Sequence, residues 1–205
     1  MARDTQSIVK MSRREGYALH PKAHKALAKR TTAPGQAANA RMRNKPSQYS
    51  LQLREKQKVK RLYGLLEKQF SNLMKEASRK QGQAGEVLLQ FLEQRLDNAV
   101  YRAGFAPSRR AARQLVTHGH FMLNGRRVDV PSIRVKAGDE LIVREHSANT
   151  EYFKKLDDVS PAPSTTPAWV NVDRKNRKFK ITSLPTRDDA EPEIKEQLIV
   201  EYYSR

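Results

Sequence analysis

The chain has 205 residues, 38% of them hydrophobic, and its 40 Lys and Arg outnumber 22 Asp and Glu to leave a formal charge of +18. That is room for one large or two small domains with a modest core, and a charge that calls for a polyanionic partner. The absence of cysteine excludes disulfides, thiol catalysis and cysteine-ligated zinc or iron–sulfur sites, and no apolar run approaches the ~20 residues that cross a bilayer, so nucleic acid rather than a membrane is the expected polyanion.

Residues 1–60 hold 15 Lys and Arg against 3 Asp and Glu, residues 61–145 hold 15 against 9, and residues 146–205 hold 10 against 10. The polyanion-facing surface is therefore expected in the N-terminal two thirds, and the neutral remainder is expected to pack against protein. Met1–Gln6 has no apolar signal core, which makes the cytosol the expected compartment.

From Met1 to Pro46 the chain shows little hydrophobic periodicity and has turn signals at His20-Pro21, Ala33-Pro34-Gly35 and Lys45-Pro46. It reads as a basic arm ordered by its partner, with a short helix at Pro21–Arg30. Apolar residues from Val59 through Ala77 repeat at helical spacing and predict one helix over Leu53–Lys80, with Gly64 a weak point inside it. A second helix is expected over Glu86–Ala103, ended by Gly104. Ser108 then caps a shorter helix reaching about His118. Phe121–Leu123 and Arg127–Val130 read as strands joined at Asn124-Gly125, the pair that supplies positive φ to a type I′ turn. A third strand is expected at Glu140–Arg144. Residues 158–168 are too rich in proline for regular structure, and Trp169–Val172 and Lys178–Ile181 alternate like short strands. Pro192–Tyr203 is expected to be a helix, with Glu193 and Glu196 near its start.

Arg109, Arg110 and Arg113 crowd the first turns of the Ser108-capped helix, at the end that already carries the positive pole of the backbone dipole. A docked phosphate reverses that penalty and meets the unsatisfied N–H groups of the first turn. Further basic clusters lie at Arg13-Arg14, Arg41 to Lys45, Arg54 with Lys56, Lys58, Lys60 and Arg61, and Arg126-Arg127 beside Asn124. Clustering rather than an even spread is what a backbone-binding surface requires. Tyr17, Tyr49 and Phe121 are candidate stackers and equally candidates for core. His118 and His120, flanking Gly119, are candidates for backbone contact or for stabilising a helix end. His20 and His24 stand four apart with no further ligand near, and Glu93 and Asp97, beside Arg95 and Arg102, read as ion-paired structural carboxylates. With no phosphate-cradling glycine loop, nucleophile elbow or metal-ligand cluster in the sequence, neither catalysis, metal nor cofactor is expected.

Leu92-Glu93-Gln94-Arg95-Leu96-Asp97, Ser108-Arg109-Arg110-Ala111-Ala112-Arg113-Gln114-Leu115-Val116 and the strands that follow closely resemble the small RNA-binding domain named after ribosomal protein four of the small subunit. That domain also occurs in tyrosyl-tRNA synthetases and pseudouridine synthases. Elsewhere, Ser12-Arg13-Arg14-Glu15-Gly16, Ala33-Pro34-Gly35-Gln36, the run from Gln52 to Gly64 and the ending Leu198–Arg205 resemble the bacterial-type family of that ribosomal protein from end to end.

The resemblance implies an α+β fold: a mainly helical domain with an inserted RNA-binding module of helices packed on an antiparallel sheet. Its expected parts are an arm at 1–46, a first helical part at 47–91, the module at 92–150, and at 151–205 a linker, short strands and a C-terminal segment that completes the helical domain. It further implies binding to the 5′ domain of 16S ribosomal RNA, nucleation of subunit assembly, and a contact with small-subunit ribosomal protein five that influences translational accuracy. Arg41, Arg43 and Lys45 partly match a family segment lining the path by which messenger RNA enters, near ribosomal proteins three and twelve. No membrane partner or homo-oligomer is implied. Two departures stand out: the cysteine zinc knuckle of many relatives is absent, and Ala37-Ala38-Asn39-Ala40 stands where relatives often have His-Gly. A free RNA-binding regulator or an assembly factor using the same module is the alternative reading.

Overall fold

The computed structural model describes residues 4–30, 32–35, 46–163 and 165–204. The chain forms two compact units, one from the residues up to Leu88 together with those from Glu191 onward, the other from Leu89–Ala190.

In the first unit, α1 (Ile8–Glu15) and α2 (Ala23–Lys29) form where the sequence suggested an arm with one short helix. Met11, Leu19 and Ala23 are buried, and the Ser12 hydroxyl donates to Ile8 O at 2.8 Å and accepts from Leu19 N–H at 3.3 Å. Three apolar side chains spread over 13 positions leave no periodic signal, yet the turn at Gly16 brings them together. The expected helix over Leu53–Lys80 is two helices, α3 (Gln48–Leu62) and α4 (Glu67–Ala77), with the chain reversing at Gly64, φ +66°. The Ser47 hydroxyl caps α3 by accepting the Ser50 N–H. Val59, Leu62, Phe70 and Met74 are buried, as is Ile199 of the C-terminal helix α11 (Glu196–Tyr203), which packs along α3. That helix starts four residues later than the sequence suggested, because Ile194 N–H bonds to Glu191 O in a separate turn.

The stretch expected as one helix over Glu86–Ala103 is likewise divided, into α5 (Ala84–Glu93) and α6 (Leu96–Arg102). The break at Gln94-Arg95 has a partner in space: Leu96 N–H bonds to Ile133 O at 2.8 Å and Asp97 N–H to Pro131 O at 3.3 Å, so a distant loop takes the donors that a continuous helix would satisfy. In the second unit α7 (Arg109–Thr117) follows, then β1 (Phe121–Leu123), β2 (Arg126–Val128) and β3 (Glu140–Val143). Three short helices, α8 (Glu145–Ala148), α9 (Glu151–Lys154) and α10 (Leu156–Val159), lead on to β4 (Val170–Asp173) and β5 (Lys178–Ile181).

These strands make one antiparallel sheet in the order β2-β1-β3-β5-β4, with Leu141 opposite Phe179 where β3 meets β5. The strands at 170–181 thus extend the module's own sheet, and residues 151–190 stay in this unit rather than returning to the helical part at 151. Turn chemistry is local, but pairing β5 to β3 spans some forty residues and leaves no mark in either segment. The buried face carries Phe121, Leu141, Val143, Phe179 and Ile181, packed with Leu96, Val100, Phe105, Leu115, Val116 and Trp169. Phe105 meets Phe121 edge-on at 6.2 Å and Phe179 at 5.6 Å.

Candidate nucleic-acid interface

The Ser108 hydroxyl accepts the Ala111 N–H at 3.3 Å, so α7 begins at the cap its sequence specifies. Its arginines divide into two kinds. Arg110 is exposed and has no partner among the described residues. Arg109 donates from Nε to Asn98 Oδ1 at 2.9 Å, with its guanidinium carbon 4.7 Å from the Tyr101 ring centroid. Arg113 lies 3.7 Å from the Asp97 carboxylate; burial pushes its pKa down, Asp97 opposes that and Arg95 adds to it.

Behind these arginines sits a buried polar network. Arg102 grips Glu93 with two bonds of 2.9 Å, and Arg95 grips Asp97 with bonds of 3.0 and 2.8 Å. Asn98 donates to the Glu93 carboxylate at 2.8 Å and receives Arg109. Glu93 and Asp97 are the ion-paired structural carboxylates that the sequence suggested. Two-point arginine–carboxylate contacts are directional, so the network sets where α7's guanidinium groups stand as well as holding α6 against α7.

At the far end of α7, His118 and His120 flank Gly119, their ring centroids 6.0 Å apart. A Cβ on Gly119 would lie 2.7 Å from Arg127 Nε, so the Arg127 guanidinium rests directly on this backbone, a closeness only glycine permits. Arg144, which no sequence pattern singled out, donates to Gly119 O at 3.2 Å. His120 Nδ1 lies 3.0 Å from the Ser147 hydroxyl; burial, then His118 and Arg144, push its pKa down. Asn124 and Gly125 have φ of 49° and 79°, as the hairpin required. Asn124 is committed to the fold: it donates to Asp139 Oδ1 at 2.8 Å and accepts the Glu140 N–H at 2.9 Å. Arg126 and Arg127 are exposed.

In the helical unit the candidates mostly have internal partners. Arg54 and Arg61 both reach Glu15 Oε1, whose side chain is fully buried; burial raises the Glu15 pKa, against the pull of Arg54, Arg61 and Arg14. Lys56, itself buried, bonds Glu67 at 2.8 Å and lies 4.6 Å from the Tyr202 ring centroid, and Lys60 bonds the other Glu67 oxygen at 3.0 Å. Burial alone would raise the Glu67 pKa, but hydrogen bonds from Lys56, Lys60 and Tyr203 hold it at about 2. Lys58 bonds Glu55 and the Glu193 carbonyl, each at 2.8 Å. Arg13 reaches Thr32 O at 3.1 Å, Arg14 is exposed, and Tyr49, 48% exposed, lies 5.8 Å from Tyr202. Arg41, Arg43 and Lys45 lie outside the described residues. The His20 ring accepts the Lys22 N–H, and among the described residues no three His, Asp or Glu cluster as metal ligands.

Residues 3–93 match the family model of the Ribosomal protein S4/S9 N-terminal domain, and residues 94–141 match the S4 domain, an RNA-binding module. The boundary between the two models falls at the break between α5 and α6. The chain is 50% identical over 206 residues to the small ribosomal subunit protein uS4 of Chlorobaculum tepidum and to that of Chlorobium limicola, and 48% identical over 211 residues to uS4A of Symbiobacterium thermophilum, in each case across 100% of both chains. With its two units, its S4 domain and its similarity running from end to end, the chain belongs to the S4 (uS4) family of small ribosomal subunit proteins.

Proposed function

We propose that this protein is a structural component of the small ribosomal subunit that binds 16S ribosomal RNA, recognising its 5′ domain early and nucleating assembly. The observation that carries the reading is the full-length similarity, at 50% identity, to small ribosomal subunit proteins. The arginine face of α7 and the exposed Arg126 and Arg127 supply the matching chemistry, since positive groups on a rigid frame fix phosphates without reading bases. Specificity then comes from the shape of an RNA junction. Arg13 and Arg14 add backbone contacts, and Tyr49 is a site for stacking or protein contact. The lysines of α3, neutralised in part by Glu55 and Glu67, act chiefly through the fold they hold. Arg109 and Arg113 do both. Within the subunit we place a contact with ribosomal protein five that tunes decoding accuracy, and the stretch containing Arg41, Arg43 and Lys45 near messenger RNA and ribosomal proteins three and twelve. The protein acts in the bacterial cytoplasm, as part of that subunit, and without catalysis.

Sedimentation of a cell lysate through a sucrose gradient tests this. Co-migration with the small subunit at close to one copy per 16S RNA, persisting through a salt wash, is the expected result. A pool running free or with other RNAs, far below one copy per subunit, would overturn it in favour of a regulator or assembly factor.

A further inference from the structure

Around Gly119, four cationic or protonatable side chains arrive from three directions with no acid among them. His118 ends α7, His120 precedes β1, Arg127 comes across from β2, and Arg144 comes from the end of β3. The Arg127 guanidinium sits on the Gly119 backbone, where a Cβ would meet Nε at 2.7 Å and Nη2 at 2.9 Å, and Arg144 Nη1 holds the Gly119 carbonyl at 3.2 Å. Arg127 has no ion pair or hydrogen-bond partner among the described residues. This differs from the start of α7, where Asp97 faces Arg113 and Asn98 links Arg109 to Glu93. Like charges held this close repel, and what relieves them is an anion.

We propose that these residues form a phosphate-binding notch for the RNA backbone, whose grip strengthens when His120 is protonated. The inference rests on the RNA-binding reading above. Gly119, whose φ of +69° by itself favours glycine, also lets Arg127 approach the turn closely enough to share one phosphate with Arg144 and the histidines. The groups that face His120 are His118 from α7, Arg144 from β3, the Ser147 hydroxyl from α8 and the Phe153 ring from α9, its centroid 5.8 Å away. Of the acids on those elements, Glu140 pairs with Lys178 at 3.7 Å, Glu151 pairs with Lys155 at 2.7 Å, and Glu145 is exposed and has no ion pair among the described residues.

In the free protein, burial and the neighbouring cations favour the neutral His120 ring. A phosphate in the notch reverses the electrostatic part of that balance, so binding takes up a proton. By linkage, a binder that raises a group's pKa binds more tightly as the pH falls through that range.

The test measures the dissociation constant of the full chain for a 16S RNA 5′-domain fragment, at fixed ionic strength, at about pH 6 and about pH 8. One linked proton whose pKa rises by a unit gives at most about tenfold tighter binding at the lower pH, and about threefold when pH 6 falls midway between the two values. His120→Gln, which keeps a hydrogen-bonding group facing Ser147, should abolish most of that ratio. Arg127→Gln should weaken binding at both pH values and lower the salt slope by about one. The wild-type chain gives a second readout by NMR, in which the His120 ring titration should move to higher pH when the RNA is added. A pH-independent affinity, a His120→Gln variant that keeps the wild-type ratio, or an unmoved His120 titration would each overturn the notch and leave RNA binding standing. No binding at either pH would overturn the RNA-binding reading and the notch with it.

Discussion

Asn98 Oδ1 accepts the Arg109 Nε proton at 2.9 Å, while the nitrogen of the same amide donates to the Glu93 carboxylate at 2.8 Å and to its carbonyl at 3.1 Å. A neutral amide with its oxygen toward a cation and its nitrogen toward an anion links α5, α6 and α7 and allows one orientation only. Asn98→Ala removes the amide from both ends of this link in a buried site, for a loss of about 1–3 kcal/mol. Trp169, the single tryptophan and buried, reports unfolding in a denaturant titration. An unchanged midpoint would show that the link carries no stability.

Arg102 is the two-point partner of Glu93, whose side chain is fully buried. Removing one side of a buried ion pair strands the other, which costs about 3–5 kcal/mol. Arg102→Ala should therefore be much more damaging than Arg110→Ala, and adding Glu93→Gln to Arg102→Ala should recover part of the loss. Equal stability of the two arginine variants would contradict the network.

Glu67 makes the stability of the helical unit depend on acid. Its folded pKa of about 2 lies below its ordinary 4.5, so the stability it contributes is complete above about pH 4.5 and is lost as the pH falls toward 2. Its side chain is 48% exposed, which screens the effect. Glu67→Gln should flatten the stability profile in that window and change little of its shape near neutrality; circular dichroism of thermal unfolding at successive pH values reads the difference.

The basic residues sort into those that bind and those that hold the fold. Replacing Arg110, Arg126 or Arg127 by alanine should leave the melting temperature nearly unchanged and reduce the slope of log affinity against log salt by about one each. Lys56→Met should do the reverse, lowering stability through the loss of the Glu67 and Tyr202 contacts with a smaller effect on the slope. Removing Arg109, Arg110 and Arg113 together combines the two effects, because Arg109 and Arg113 also tie α7 to Asn98 and Asp97. A salt slope unmoved by any of the three exposed arginines would exclude this face from RNA contact.

Features set by neighbours within a few residues were legible in the sequence. The Ser108 cap, the Asn124-Gly125 hairpin and the arginine cluster on the first turns of α7 each follow from local chemistry: a hydroxyl within reach of a free N–H, a residue pair that tolerates positive φ, a helix pole that attracts an anion. The break at Gly64 was visible only as a weakness, since a lone glycine lowers a helix without ending it.

The sequence by itself determined that this is a cysteine-free, strongly basic chain with a capped arginine helix and a tight hairpin, because composition, caps and turns need no knowledge of distant partners; its resemblance to a known family added the RNA-binding module. Tertiary structure decided which charges remain available. Lys56 and Lys60 look identical in sequence to Arg126 and Arg127, but Glu67 lies beside the first pair and, among the described residues, no acid pairs with the second. It also decided that the strands at 170–181 join β3, that Ile133 and Pro131 interrupt the helix before Leu96, and that Arg144 reaches Gly119. Each depends on a partner tens of residues away, brought near by burial of a shared apolar face, and such partners leave no pattern in the local sequence.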